Sequence, residues 1–240
     1  MTLDKYGIKQ LFPTTTGGLE WFNKWDNGKE RSLGDGVTDP YDPNFIYSCG
    51  DPNRNLHLNG DGVARFRSDV VCTSARFWVS GPWLNTEMTC QALKIGQMID
   101  LQMRSRSNHD IGGMSHQCTF GDYAVNFNGK DGKTTMDVEV MHPIYKRYVV
   151  QNHMADFPVR KYQGYKQVTR TYHGNKVKVE GYLDKGFTNK DDWVKMVEFV
   201  FSGSNLHLKP TPEQEIFRKN CIDKGDKVAN NLDKNTCWIK

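Results

Sequence analysis

From Val63 onward this 240-residue chain is built from segments in which apolar and polar residues alternate: VARF, ARFWVS, NTEMTCQAL, MIDLQMRSR, YAVNF, TTMDVEVMH, YKQVTRTY, KVKVEGYL and WVKMVEFVF. A period of two marks a strand with one buried face and does not suit a helix, whose faces repeat about every 3.6 residues. Segments of this kind, separated by turn residues, predict an all-β fold made of antiparallel sheets, as a sandwich or a barrel. The one helix expected is Thr211–Asn220, where a proline and acidic residues open the run PEQEIFRKN. Residues 1–62 are punctuated by TTTGG, DNGKE, GDGVTDPYDPN, CGDPNRN and NGDG, all turn-forming, and only Phe45–Tyr47 and Leu56–Leu58 read there as strands. A single domain over 1–240 is expected, with a loop-rich part at 1–62 and a tail at 204–240.

Hydrophobic residues make up 37% of the chain and aromatic residues 12%, and the mean hydropathy of −0.69 fits a folded domain with a wide polar surface. The net charge of +4 is spread among both signs, which argues against nucleic acid as a partner. No apolar run approaches the roughly 18 residues of a membrane helix. The start MTLDKYGIK lacks a signal-peptide pattern. Six cysteines without a CxxC pair point to disulfides in a secreted, monomeric protein, and Cys221 with Cys237 is the clearest bridge. Closing a loop of that size contributes about 3 kcal/mol in the chain-entropy model. Six buried thiols in a cytosolic protein are the alternative.

Alternation also sorts side chains by face. Thr86, Met88, Cys90 and Ala92 oppose Glu87, Thr89 and Gln91; Ile99, Leu101 and Met103 oppose Asp100, Gln102, Arg104 and Arg106; Val177 and Val179 oppose Lys178, Glu180 and Tyr182. If the polar faces belong to one sheet, Glu87, Gln91, Gln102, Arg104, Arg106, Glu139, Lys166, Arg170, Glu180 and Tyr182 form one long surface. Such a surface suits a sugar chain, whose hydroxyls need paired donors and acceptors and whose C–H faces stack on aromatic rings. Trp78, Trp83, Tyr123, Tyr145, Tyr165 and Tyr182 could supply the rings, two or three of them at the surface and the rest in the core. The densest chemistry lies in TTMDVEVMHPIYKRY, where a strand runs to Pro143 and into His142, Tyr145, Lys146 and Arg147. That cluster reads either as a site at a strand end or as an ordinary solvated turn.

The phrases WLNTEMTCQAL, RSRSNHD, HQCTFGDY, DVEVMHPIY, GYKQVTR, KVKVEGYLD and DDWVKMVEF, over about residues 45–203, resemble the concanavalin-like jelly-roll superfamily of alginate and glucuronan lyases, β-sandwich glycosidases and laminin-G-type modules. The resemblance is architectural: the lyases' Arg-x-Glu-x-Arg, Gln-x-His and Tyr-rich Lys-Ala-Gly strands have no faithful copy here. It implies a jelly roll that cleaves an anionic, uronate-containing polysaccharide by β-elimination. That reaction needs a group that neutralises the uronate, a base for the C5 proton and an acid for the leaving oxygen. Arg104, Arg106 or Gln117 could fill the first role, His109, His116 or His142 the second, and Tyr145 the third. Glu87, Gln91, Arg106, Glu139, Lys146, Arg147, Lys166 and Tyr182 would bind the chain. Two alternatives stand beside it: a glycoside hydrolase using Glu87 with Glu139 or Glu180, and a carbohydrate-binding module without catalysis.

No cofactor is expected beyond a structural calcium, which Asp35, Asp39, Asp42 and Asp61 could hold, although neither acidic loop has EF-hand spacing. Phosphate-loop, dinucleotide, GxSxG and HExxH motifs are absent from the sequence.

Overall fold

The computed structural model describes residues 2–48, 55–66, 76–79, 83–93, 100–105, 122–128, 132–141, 144–152, 161–174, 176–184, 192–202 and 211–223. Among them the expected all-β fold is found, with every sheet antiparallel and a single helix. Of the described residues, those within 2–13, 83–105 and 122–223 gather in one compact unit and those within 14–79 in another.

The larger unit has two four-stranded sheets. The first runs β11 (Ile144–Asn152), β10 (Lys133–Met141), β9 (Asp122–Asn128), β8 (Asp100–Ser105). The second runs β14 (Val194–Phe201), β13 (Lys176–Asp184), β12 (Tyr162–Tyr172), β7 (Thr86–Leu93). Their facing sides share one core of Met103, Tyr123, Val125, Phe127, Met136, Val138, Tyr165, Val177, Val179, Leu183, Val197 and Phe201. These residues occupy alternate positions, as the period-two pattern requires, and the charged residues are left on the outer faces, while Ser105 of the first sheet bonds Gln167 and Thr169 of the second at 2.8 and 2.6 Å in the buried layer between them. Tyr123 and Tyr165, expected among candidate sugar-stacking rings, are instead fully buried in this core. Phe127 meets Tyr165 edge-on at 5.0 Å, and Tyr123 lies 5.1 Å from Phe201.

Strand β11 was not anticipated. IYKRYVVQN does not alternate cleanly, because register shifts between Met136 and Asp137 and between Glu139 and Met141 interrupt its pairing with β10. β10 ends at Met141 and β11 begins at Ile144; Pro143, expected to end the strand, lies outside the described residues. In the core, Gly181 is required by close approach: a Cβ there would lie 2.7 Å from Val125 Cγ1 and 2.8 Å from Val197 Cγ2. Gly181→Ala is therefore expected to destabilise the protein by about 1–3 kcal/mol, measurable as a lowered urea midpoint with unchanged m-value.

The smaller unit has two three-stranded sheets. In one, β1 (Arg31–Leu33), β4 (Leu56–Leu58) and β5 (Ala64–Phe66) are neighbours in that order; in the other, β2 (Val37–Asp39), β3 (Asp42–Ser48) and β6 (Arg76–Val79). Leu33, Phe45, Tyr47, Leu56 and Leu58 form its core, with Phe45 stacked between Trp21 at 6.1 Å and Phe77 at 5.8 Å. The helix α1 spans Pro212–Asp223, close to expectation. Thr211 and Gln214 close a capping box, each backbone N–H donating to the other's side chain at 2.9 and 3.3 Å.

Candidate functional site

Of the ten polar residues expected on one surface, the nine that are described separate onto two. Gln102, Arg104 and Glu139 point from the outer face of the first sheet, whereas Glu87, Gln91, Lys166, Arg170, Glu180 and Tyr182 belong to the outer face of the second. The shared core lies between these faces, so Glu87 and Glu139 cannot act as a carboxylate pair. Glu87 and Glu180 share a sheet, but both are register partners of Val168, on opposite sides of β12, which puts two strand spacings, about 10 Å, between their backbones. Glu180 is also taken up by Lys195 at 2.8 Å, Lys178 at 3.3 Å and Arg170 at 3.4 Å.

The second sheet's outer face is an ion lattice. Lys195 and Lys178 bridge Glu180 and Glu198, and Tyr182 donates to Glu180 at 3.1 Å. Burial, reinforced by the Glu180 charge, pushes the Tyr182 phenol up to about 12, so it stays a donor. The Lys195 ammonium, with Lys178 second, holds Glu198 down to about 2. A carboxylate depressed from 4.5 lends stability above that value and loses it as pH falls toward 2. Glu198→Gln should accordingly flatten the pH dependence of unfolding between those limits. Both partners are well exposed, so solvent screening keeps the effect below about 1 kcal/mol. Urea titrations at a series of pH values would show it.

The first sheet's outer face carries the acid–cation cluster. Arg104 on β8 donates through Nη1 to Asp122 on β9 at 2.6 Å and to Glu139 on β10 at 2.8 Å, and through Nε to Gln102 at 2.6 Å. Asp122 and Glu139 are register partners and only 1% and 6% exposed. The two distances laid end to end limit the separation of the bound carboxylate oxygens to about 5.4 Å. Arg147 on β11 contacts Asp137 at 3.0 and 3.3 Å, and Asn126 donates to the same carboxylate at 2.6 Å. Alternation along DYAVNFN already sets Asp122 and Asn126 on one face, a signal overlooked because only its apolar centre was read as strand.

Of the expected catalytic residues, Arg104 lies in this cluster, and Tyr145 is the register partner of Glu139 on β11. Only the backbone of Tyr145 and Lys146 is described. His142 lies outside the described residues, between Met141 and Ile144; His109, His116, Gln117 and Arg106 also lie outside them, between Ser105 and Asp122. The strand ends flanking both stretches fall at the Arg104–Glu139 end of the sheet.

The candidate calcium carboxylates are engaged separately. Asp35 accepts from Ser48, Asp39 pairs with Arg31, Asp42 accepts from Trp21 and Asn23, and Asp61 pairs with Arg65. Among the described residues no three such ligands converge. Cys90 is a free thiol, and the proposed Cys221–Cys237 bridge falls outside what is described.

Fold and site together define an antiparallel all-β protein with an acid–cation cluster on one outer sheet face. No family model, curated protein or solved structure matches the chain.

Proposed function

We propose that the protein is a polysaccharide lyase of jelly-roll type whose reaction runs at the Arg104–Glu139 end of the first sheet. The observation that carries this reading is the register that pairs Tyr145 with Glu139, whose carboxylate meets Arg104, at the end of the sheet where β10 stops one residue short of position 142. In β-elimination a base takes the C5 proton, that electron pair forms the C4–C5 double bond, and the departing C4 oxygen receives a proton. His142 takes the proton and Tyr145 returns one to the leaving oxygen. Arg104 already faces two carboxylates, so the uronate falls to Arg147, whose side chain is 52% exposed against 29% for Arg104. A secreted protein acting as a monomer fits such a substrate.

Hydrolysis is the second reading, favoured by the carboxylates of Asp122 and Glu139 on one guanidinium nitrogen. Their limiting separation falls near the roughly 5–5.5 Å used for retention. Incubation with alginate, glucuronan, pectate, hyaluronan and neutral glucans separates the readings. Absorbance rising near 235 nm, where the unsaturated uronate absorbs, supports elimination. New reducing ends without that absorbance replace it by hydrolysis, and neither signal overturns both in favour of a binding module.

A further inference from the structure

The outer face of the second sheet is partly covered by the chain's own beginning. Residues 2–10 form a small hairpin. Leu3 pairs with Lys9, Gln10 N–H donates to the Thr2 carbonyl at 2.9 Å, and Asp4 Oδ1 accepts from the N–H groups of Tyr6 and Ile8 at 2.8 and 2.9 Å. Gly7 turns it with φ +78°. The chain then crosses Glu87 and Lys166. Glu87 Oε2 accepts from the backbone N–H groups of Leu11 at 2.7 Å and Phe12 at 2.5 Å, and Lys166 Nζ donates to the Lys9 carbonyl at 2.8 Å. Lys166 and Glu87 also pair with each other, their side chains 1% and 9% exposed. The Phe12 ring lies under the Arg170 guanidinium at 5.6 Å, and Trp193 lies 4.6 Å from the Lys166 ammonium.

This is a built recognition site for a peptide backbone: one carboxylate for two consecutive N–H groups, one ammonium for a carbonyl, and a cation above the following ring. We propose that residues 2–12 work as a latch, a self-supporting hairpin held to the sandwich through Glu87 and Lys166, which opens without unfolding the sheets and uncovers Glu87, Lys166 and Trp193. The turn bonds of the hairpin are internal to it, whereas the backbone groups of Lys9, Leu11 and Phe12 converge on that one ion pair. Local opening of this kind has its own free energy, lower than that of the core strands. Glu87 and Lys166, expected to bind substrate, hold the chain itself while the latch is closed.

Amide hydrogen exchange on the full-length chain tests this. Glu87→Met with Lys166→Met removes both charges together, leaves neither buried alone, and deprives Leu11, Phe12 and Lys9 of their partners. Exchange at the Leu11 and Phe12 amides should rise at least about tenfold while Val179 and Val125 keep their protection, the signature of a local opening. Phe12→Ala, which keeps the ion pair, should raise the same two amides by a smaller factor and decides the matter if the double variant does not fold. Unchanged exchange at Leu11 and Phe12, or an equal rise at Val179, overturns the latch.

Discussion

Arg104→Ala is expected to be among the most destabilising single changes in the larger unit, costing about 3 kcal/mol. The reason is a count of charges in one place. Asp122 and Glu139 are both buried and share the Arg104 guanidinium. Without it, two adjacent carboxylates repel in a setting where water cannot screen them. Arg104 also stays 29% exposed, which holds the effect below that of a fully enclosed pair. Asp122→Asn with Glu139→Gln in the same background should recover most of the loss, because amides leave no charge unpaired. Urea unfolding of the single, double and triple variants would establish this, and equal stabilities of Arg104→Ala and the parent would remove the cluster as a structural element. Lysine at 104 should recover only part, since one ammonium does not reproduce the forked donors.

Tyr145→Phe is expected to remove about 10²–10⁴-fold of turnover on a uronate polymer, the range for one proton-transferring side chain. The change deletes one oxygen and keeps the ring. The unfolding midpoint should stay near the parent value, so a loss of activity would not come from misfolding. The diagnostic split is kcat falling with KM little changed, which marks an interaction made in the transition state. If hydrolysis is the reaction, Tyr145→Phe should leave it nearly intact and Glu139→Gln should abolish it. Reducing-end and 235 nm assays on both variants separate the two.

The all-β fold was legible because alternation is local: each of TTMDVEVMH and KVKVEGYL contains both its buried and its exposed side. The helix was legible too, since proline, acidic residues and the Thr211–Gln214 cap lie within a few positions of one another. β11 was missed because its bulges shift the pattern by one residue, and a one-residue slip moves side chains to the other face. The cluster at His142–Arg147 drew attention from sequence alone, but Asp137, which meets Arg147, and Asp122, which meets Arg104, did not, because nothing local marks a carboxylate that will face an arginine on another strand.

The sequence by itself determined which side chains of each strand share a face, since the backbone pleat makes that choice residue by residue. Only the tertiary structure decided which polar faces stand together. It divided Arg104 and Glu139 from Glu87 and Lys166, and it laid residues 9–12 over the second pair. The physical reason is that strand order and sheet membership arise from pairings between distant segments, whose register depends on bulges and on a core shared by both sheets, and neither is written in any one strand.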